Sequence, residues 1–412
     1  MKVKKRKTFS KIHITVFSLI FLLGFGLHAI KPGKEFQVNN YTKDQQWYPD
    51  IAMNKKGDFV IVWESEGQDN DAGGVFGRLF NSKDLQDGKE FKINKTTDSV
   101  QGTPAVAMDK KGNFVVVWEC YGQDGDGYGI FGQRFNQSGQ KLGKEFQVNT
   151  STKKDQLIPD VAMDARGNFV VTWTSPHKGK FKKDVYAQRF RKTGKPWGKE
   201  IKVNTYDTSD QWLSQVSMDK RGNFIIVWES EGQDYDSGGV YAQLYSRKGN
   251  KIGDEFRVNT STLSVQGNPS VAMDIRGNFI VVWDSFWFDG DGYGIFAKIF
   301  NSQGVDLSGE FQVNDHTEKN QILPHVAVDR RGNFFIVWES FEQDSSNAGV
   351  YGQKFNKQGT AITNELRVNE FIQGNQGSPR VAMSYKGDFA VVWESYEQDG
   401  DNYGVFARTY KK

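Results

Sequence analysis

Apolar and polar positions along this chain trace one figure, repeated without a break. In its clearest copy the figure has four parts: Gln101-Gly-Thr-Pro-Ala-Val-Ala-Met-Asp109, Gly112-Asn-Phe-Val-Val-Val-Trp-Glu-Cys120, Gly129-Ile-Phe-Gly-Gln-Arg-Phe135 and Gly143-Lys-Glu-Phe-Gln-Val-Asn149. β-Branched and aromatic residues fill the runs, while Gly, Asn, Asp and Ser fill the gaps. Each copy therefore predicts four short strands joined by turns. No stretch after the first 29 residues has the 3.6-residue apolar period of a helix, so helix is expected to be nearly absent. The second run is apolar on both sides, Phe114, Val116 and Trp118 on one and Val115 and Val117 on the other, so both of its faces must be covered.

The period of the figure decides what covers them. Trp63, Trp118, Trp173, Trp228, Trp283, Trp338 and Trp393 recur at an interval of 55 residues, and so do the series that start at Glu35 and at Gln46. A two-layer sandwich could bury such strands. Seven identical four-stranded units stack more naturally face to face around an axis, which predicts an all-β, seven-bladed propeller. The chain ends fit closure. Gly33-Lys-Glu-Phe-Gln-Val-Asn39 has the sequence of a fourth strand and Gly404-Val-Phe-Ala-Arg-Thr-Tyr410 that of a third, so the N-terminal strand is expected to complete the last blade and leave no open edge.

Residues 1–29 stand outside the repeat. Six lysines and arginines lead into an apolar run from Ile14 to Leu27 that ends near Ala29, the layout of a signal peptide, and 14 apolar residues are short of a bilayer span. Cleavage is expected, with an uncleaved anchor as the alternative, and residues 30–412 form the propeller domain. The remaining chain then carries 47 basic and 50 acidic residues, a net charge of −3 without the basic excess of a nucleic-acid binder. Cys120, the only cysteine, stands where other copies have serine and reads as a small core residue.

The segments Gly112-Asn-Phe-Val-Val-Val-Trp-Glu, Gly122-Gln-Asp-Gly-Asp-Gly-Tyr-Gly-Ile-Phe-Gly-Gln-Arg-Phe135 and Gly143-Lys-Glu-Phe-Gln-Val-Asn149 resemble tandem repeats of exported bacterial proteins. The resemblance implies a propeller fold and extracellular binding or adhesion, and it brings no functional residues with it.

Residues repeated in every copy are first explained by what each blade needs. Carboxylates end the second strand at Glu64, Glu119, Glu229, Asp284, Glu339 and Glu394, enough for a glycosidase pair, yet their abundance favours a scaffold role. The loop that follows holds alternating acids, among them Asp124, Asp126, Asp234 and Asp236, which either form Asx turns or ligate calcium; no cofactor is required. Three histidines after residue 29 are too few for a multi-histidine zinc site, and neither a nucleophile elbow nor a phosphate loop is present.

Function is therefore sought where the repeat breaks its own rule. Just after the repeated proline the copies read Asp50, Ala105, Asp160, Gln215, Ser270, His325 and Arg380, side chains expected to ring one mouth of the channel. Trp47 and Trp212 follow the repeated Gln, the fifth copy carries Phe286-Trp-Phe288, and the third substitutes the basic stretch His177 to Lys183, all on the same rim. These residues, with Trp287 at the tip, are candidates for a polar ligand site with aromatic platforms. The expectation is an exported monomer, secreted, periplasmic or on the cell surface, that binds an extracellular glycan or a surface protein, neither nucleic acid nor membrane. The alternative is a carbohydrate-active hydrolase or lyase.

Overall fold

The computed structural model describes residues 30–412 apart from 71, 84–87, 177–181 and 236; the predicted signal segment lies outside the described residues. Among these residues there are no helices, and the strands form seven antiparallel four-stranded sheets, the blades of a β-propeller. In blade 2 the strands are Gln101–Met108, Phe114–Tyr121, Tyr128–Phe135 and Phe146–Gln147, from the channel outwards.

Both faces of each second strand are covered because the blades pack on one another. Ala52, Val60, Val62 and Ile93 of blade 1 meet Val106, Phe114, Trp118 and Phe135 of blade 2 in one apolar layer, and an equivalent layer fills each of the other junctions. All seven period-setting tryptophans are 0–1% exposed, so the 55-residue beat is the beat of this core. An aromatic pair marks each layer; Phe114 and Phe135 stack with centroids 4.8 Å apart.

The last sheet is built from both ends of the chain. The N-terminal strand Lys31–Gln37 pairs with Tyr403–Lys411, setting Glu35 opposite Arg408 and Gln37 opposite Phe406. Val405 donates its amide N–H to Asn39 Oδ1 at 2.8 Å, the bond that Val75 makes to Asn94 and Ile130 to Asn149 in blades whose strands are continuous. Val38 joins the apolar layer between blades 7 and 1, so the closing junction is packed like the others.

Two faces result. The upper face, where the innermost strands begin, carries the loops between second and third strands. The lower face carries seven hairpin turns: Asn54-Lys-Lys-Gly57, Asp109-Lys-Lys-Gly112, Asp164-Ala-Arg-Gly167, Asp219-Lys-Arg-Gly222, Asp274-Ile-Arg-Gly277, Asp329-Arg-Arg-Gly332 and Ser384-Tyr-Lys-Gly387. In blade 2, Asp109 Oδ1 accepts the amide N–H of Lys111 at 2.7 Å and of Asn113 at 3.0 Å, and Gly112 takes φ +97°, the left-handed conformation such a turn requires. The five Asp residues that open these turns face inwards and are buried, whereas all eleven Lys and Arg side chains of the turns are exposed.

Candidate functional site

Each innermost strand enters the channel through an irregularity: its register with the second strand shifts by one bulge, between Trp47 and Asp50 in blade 1 and at equivalent points in the other six. The bulged residues, Tyr48, Thr103, Ile158, Leu213, Asn268, Leu323 and Ser378, all have φ between +45° and +54°. Such a backbone is strained for any side chain, and most of all for β-branched Ile158 and Thr103. The repeated carboxylates answer it. Each accepts the bulged residue's N–H from the next blade: Glu119 from Ile158 at 2.8 Å, Asp284 from Leu323 at 3.1 Å, and Glu394 from Tyr48 at 2.6 Å across the closing junction. Glu64, Glu229 and Glu339 do the same for Thr103, Asn268 and Ser378. Burial raises the pKa of all six, to about 7 for Glu64, Asp284 and Glu394 and about 6 for Glu339; Glu339 pushes Glu394 up further.

One turn deeper lies the irregular ring. Four of its members also tie blades together, Asp50, Asp160, Ser270 and His325 each accepting an N–H from the following innermost strand. Asp50 Oδ2 accepts from Val106 N–H and Asp160 Oδ2 from Val216 N–H, both at 2.7 Å, and His325 Nδ1 accepts from Val381 N–H at 3.2 Å. The last bond leaves the imidazole proton on Nε2. Burial and the nearby Arg380 charge lower the His325 pKa to about 3, so the ring is a neutral donor at physiological pH. Burial raises Asp50 to about 6 against the opposing pull of Arg380, and Asp160 to about 7, with the Asp50 charge adding to the rise. Arg380 itself donates to the carbonyl of its neighbour Pro379 at 3.1 Å.

The structure brings Gln215, His325 and Arg380 together in one recess of roughly 130 Å³, walled by Ile158, Leu213, Asn268, Ser270 and Leu323. Asp50 and Asp160 do not line this recess but lie within electrostatic range of Arg380. The three rim tryptophans lie outside this recess. Trp47 is half-buried against Tyr48, with centroids 5.5 Å apart, and Trp212 lies under the Lys183 ammonium at 5.1 Å. Trp287 is 60% exposed at the tip of its loop, edge-on to Phe286. The bulged residues were not among the sequence candidates, although they vary as widely as the ring and six of the seven precede the repeated proline.

The acidic loops are engaged locally. Asp124 Oδ2 accepts from the side-chain amides of Gln147 and Asn149, each at 3.2 Å, and Asp126 Oδ2 from Lys154 N–H at 3.0 Å. Asp234 is buried beside Gly239 and Tyr241, and Asp236 lies outside the described residues. Among the described residues no three His, Cys, Asp or Glu side chains gather in a metal-binding group. Blade 3 reveals what the first acid does. Its loop has Gly179 at the Asp124 position and Asp184 at the Gly129 position, where a Cβ in blade 2 would meet the Asp124 carboxylate at 2.5 Å. Asp184 Oδ1 accepts from Asn204 Nδ2 at 2.8 Å, so the carboxylate reaches the same amide from the opposite strand position.

No protein-family model matches the chain, and no curated protein matches it. Solved structures do. A Dyadobacter fermentans protein of unknown function aligns over 93% of this chain and 99% of its own, at 9% identity and a TM-score of 0.57. The polysaccharide lyase Uly1 aligns over 87% and 89%, at 10% identity and a TM-score of 0.54. An α-L-arabinanase of Penicillium chrysogenum, complexed with arabinobiose, aligns over 80% and 99%, at 14% identity and a TM-score of 0.50. At these identities the likeness is one of fold.

Proposed function

We propose that this protein is an exported glycan-binding module whose ligand seats in the upper channel mouth. The observation that carries the reading is Arg380. It is the one cation of an otherwise acidic and neutral ring, its described hydrogen bond goes only to the adjacent carbonyl, and its guanidinium faces a recess shared with His325 and Gln215. Sugar hydroxyls suit such a site, because Arg380 and His325 Nε2–H donate while Gln215 donates and accepts. The apolar wall of Ile158, Leu213 and Leu323 supplies the flat contact that a sugar ring's C–H face needs. Export rests on the basic and apolar layout of residues 1–29 and on the likeness of the repeat to those of exported bacterial proteins. Propellers of similar fold include a polysaccharide lyase and an arabinanase, which supports a carbohydrate ligand without naming it. The reading calls for no cofactor, and calcium at the Asp124 and Asp234 loops is not part of it.

A glycan-array screen is expected to show binding that falls at least about tenfold in Arg380→Ala. Binding that is indifferent to Arg380→Ala and Gln215→Ala would remove the site. One observation favours a second reading, a carbohydrate-active enzyme: Glu64 and Glu394, both with pKa near 7, act electrostatically on Tyr48, and acids of that strength suit proton transfer. New reducing ends or unsaturated products from a polysaccharide panel, lost in Glu394→Gln, would favour that reading over simple binding.

A further inference from the structure

We propose that the lower face is a second binding surface, built for an anionic polysaccharide. The third position of the lower turn reads Lys56, Lys111, Arg166, Arg221, Arg276, Arg331 and Lys386, a cation in every blade. Other invariant positions of the repeat have visible structural work: the tryptophans fill the core and the Glu35 series accepts backbone N–H groups from the neighbouring blade. These cations have none. Their side chains are exposed, and among the described residues none lies within 4.0 Å of a carboxylate or donates a side-chain hydrogen bond. The turn uses only their backbone, as where Lys111 N–H reaches Asp109, so the turn itself does not require a positive charge at this position.

The cations also work in pairs. Lys56 and Lys111 line one recess of roughly 360 Å³ between blades 1 and 2, Lys111 and Arg166 one of roughly 400 Å³ between blades 2 and 3, and Arg276 and Arg331 one of roughly 300 Å³ between blades 5 and 6. Each lies within the range of small-ligand sites, about 300–1,000 Å³. Each is floored by a buried core phenylalanine, Phe59, Phe114 or Phe279, and further cations join from the outer loops, Arg134 and Lys192 in the largest. Asp109 and Asp274 are buried and hold turn N–H groups, and Asp58 in the first recess, within electrostatic range of Lys56, is held by Ser82 N–H and the Asn54 amide, so the cations are the charges that project outwards. Recesses that each hold two cations, at three blade junctions of a ring with a cation in every blade, fit a polymer of sugar rings that each carry a carboxylate or sulfate. A polysaccharide can set successive anionic rings in neighbouring recesses, whereas a duplex presents its phosphates on a convex backbone.

This surface is independent of the upper mouth and stands if that reading fails. The test titrates the protein with fluorescein-labelled heparin and polygalacturonate, and with dextran as the neutral control, across a salt series. Both polyanions are expected to bind at low salt and dextran not. A Lys111→Ala/Arg166→Ala/Arg221→Ala variant is expected to lose about tenfold or more in affinity and about one unit of log–log salt slope for each cation that engages the polymer. Its melting temperature should be unchanged, because only exposed side chains are removed. Arg166→Lys should retain binding. Failure of both polyanions to bind, equal affinity in the triple variant, or equally tight binding of duplex DNA or phosphatidylserine vesicles would each overturn the proposal.

Discussion

Glu119 shows how a residue that looks catalytic in a sequence can be read once its neighbour is known. Its carboxylate accepts the N–H of Ile158, whose left-handed backbone no apolar β-branched residue adopts cheaply. Glu119→Ala should therefore cost about 1–3 kcal/mol by leaving that N–H without a partner, whereas Glu119→Gln keeps an acceptor and should cost much less. Urea unfolding of the two variants checks this; an alanine variant as stable as the parent would show the bond to be idle. The scaffold role of the six carboxylates was legible in their repetition, but their partners were not. The bulged residues are chemically unrelated, from Tyr48 to Ser378, and what they share is a backbone angle that no side chain announces. The ring from Asp50 to Arg380 was legible as a place because its variation stands out on a regular strand. Its double duty was not, since a bond from Asp50 to Val106 N–H crosses between blades.

At the scale of the strand, the N-terminal segment is the element on which closure depends. Asn39 accepts from Val405 N–H, and its own amide reaches Gln46 Oε1 at 2.9 Å and Asp399 Oδ2 at 2.9 Å, so it joins blade 7 to blade 1. Asn39→Ala is expected to destabilise by about 2–3 kcal/mol, since a buried N–H and a buried Gln oxygen both lose a partner. Removing residues 30–39 altogether should be far worse, because the edge of Tyr403–Lys411 is then open to other chains. Calorimetry with size-exclusion chromatography reads both effects; a truncated chain that stays monomeric with the parent melting temperature would refute the closure argument. The strand plan was readable because alternation and turn residues are local signals. The exchange in blade 3 was not: Gly179 and Asp184 look like two unrelated departures until the strands are paired, when they become one carboxylate delivered from the other side.

For the whole molecule, the buried carboxyls make stability depend on pH. Asp50 and Glu339 titrate near 6 in the folded protein, and Asp160, Glu64, Asp284 and Glu394 near 7, all above the unfolded values of about 4. The folded state thus binds more protons between pH 4 and 7, so the contribution of these groups is full below about pH 4 and is lost as pH rises through 6 and 7. His325, whose lowered pKa makes its burial cost more as pH falls below 6.5, and the more exposed Asp58 and Asp306 act in the opposite sense, but the six raised carboxyls outnumber them. The melting temperature is expected to be several degrees higher at pH 5 than at pH 8. A flat or rising profile would contradict the assignment of these carboxyls as buried acids.

The same bookkeeping of charge has a spatial side. Eleven exposed cations in the lower turns outnumber the five buried Asp of the same turns, in a chain whose net charge after residue 29 is −3, so the remaining acids lie elsewhere, many of them in the loops of the opposite rim. The molecule is consequently an electric dipole along its own symmetry axis. Near an anionic polysaccharide matrix it is expected to turn before it touches, settling like a stud with its basic side down and leaving the irregular mouth around Arg380 pointing into solution.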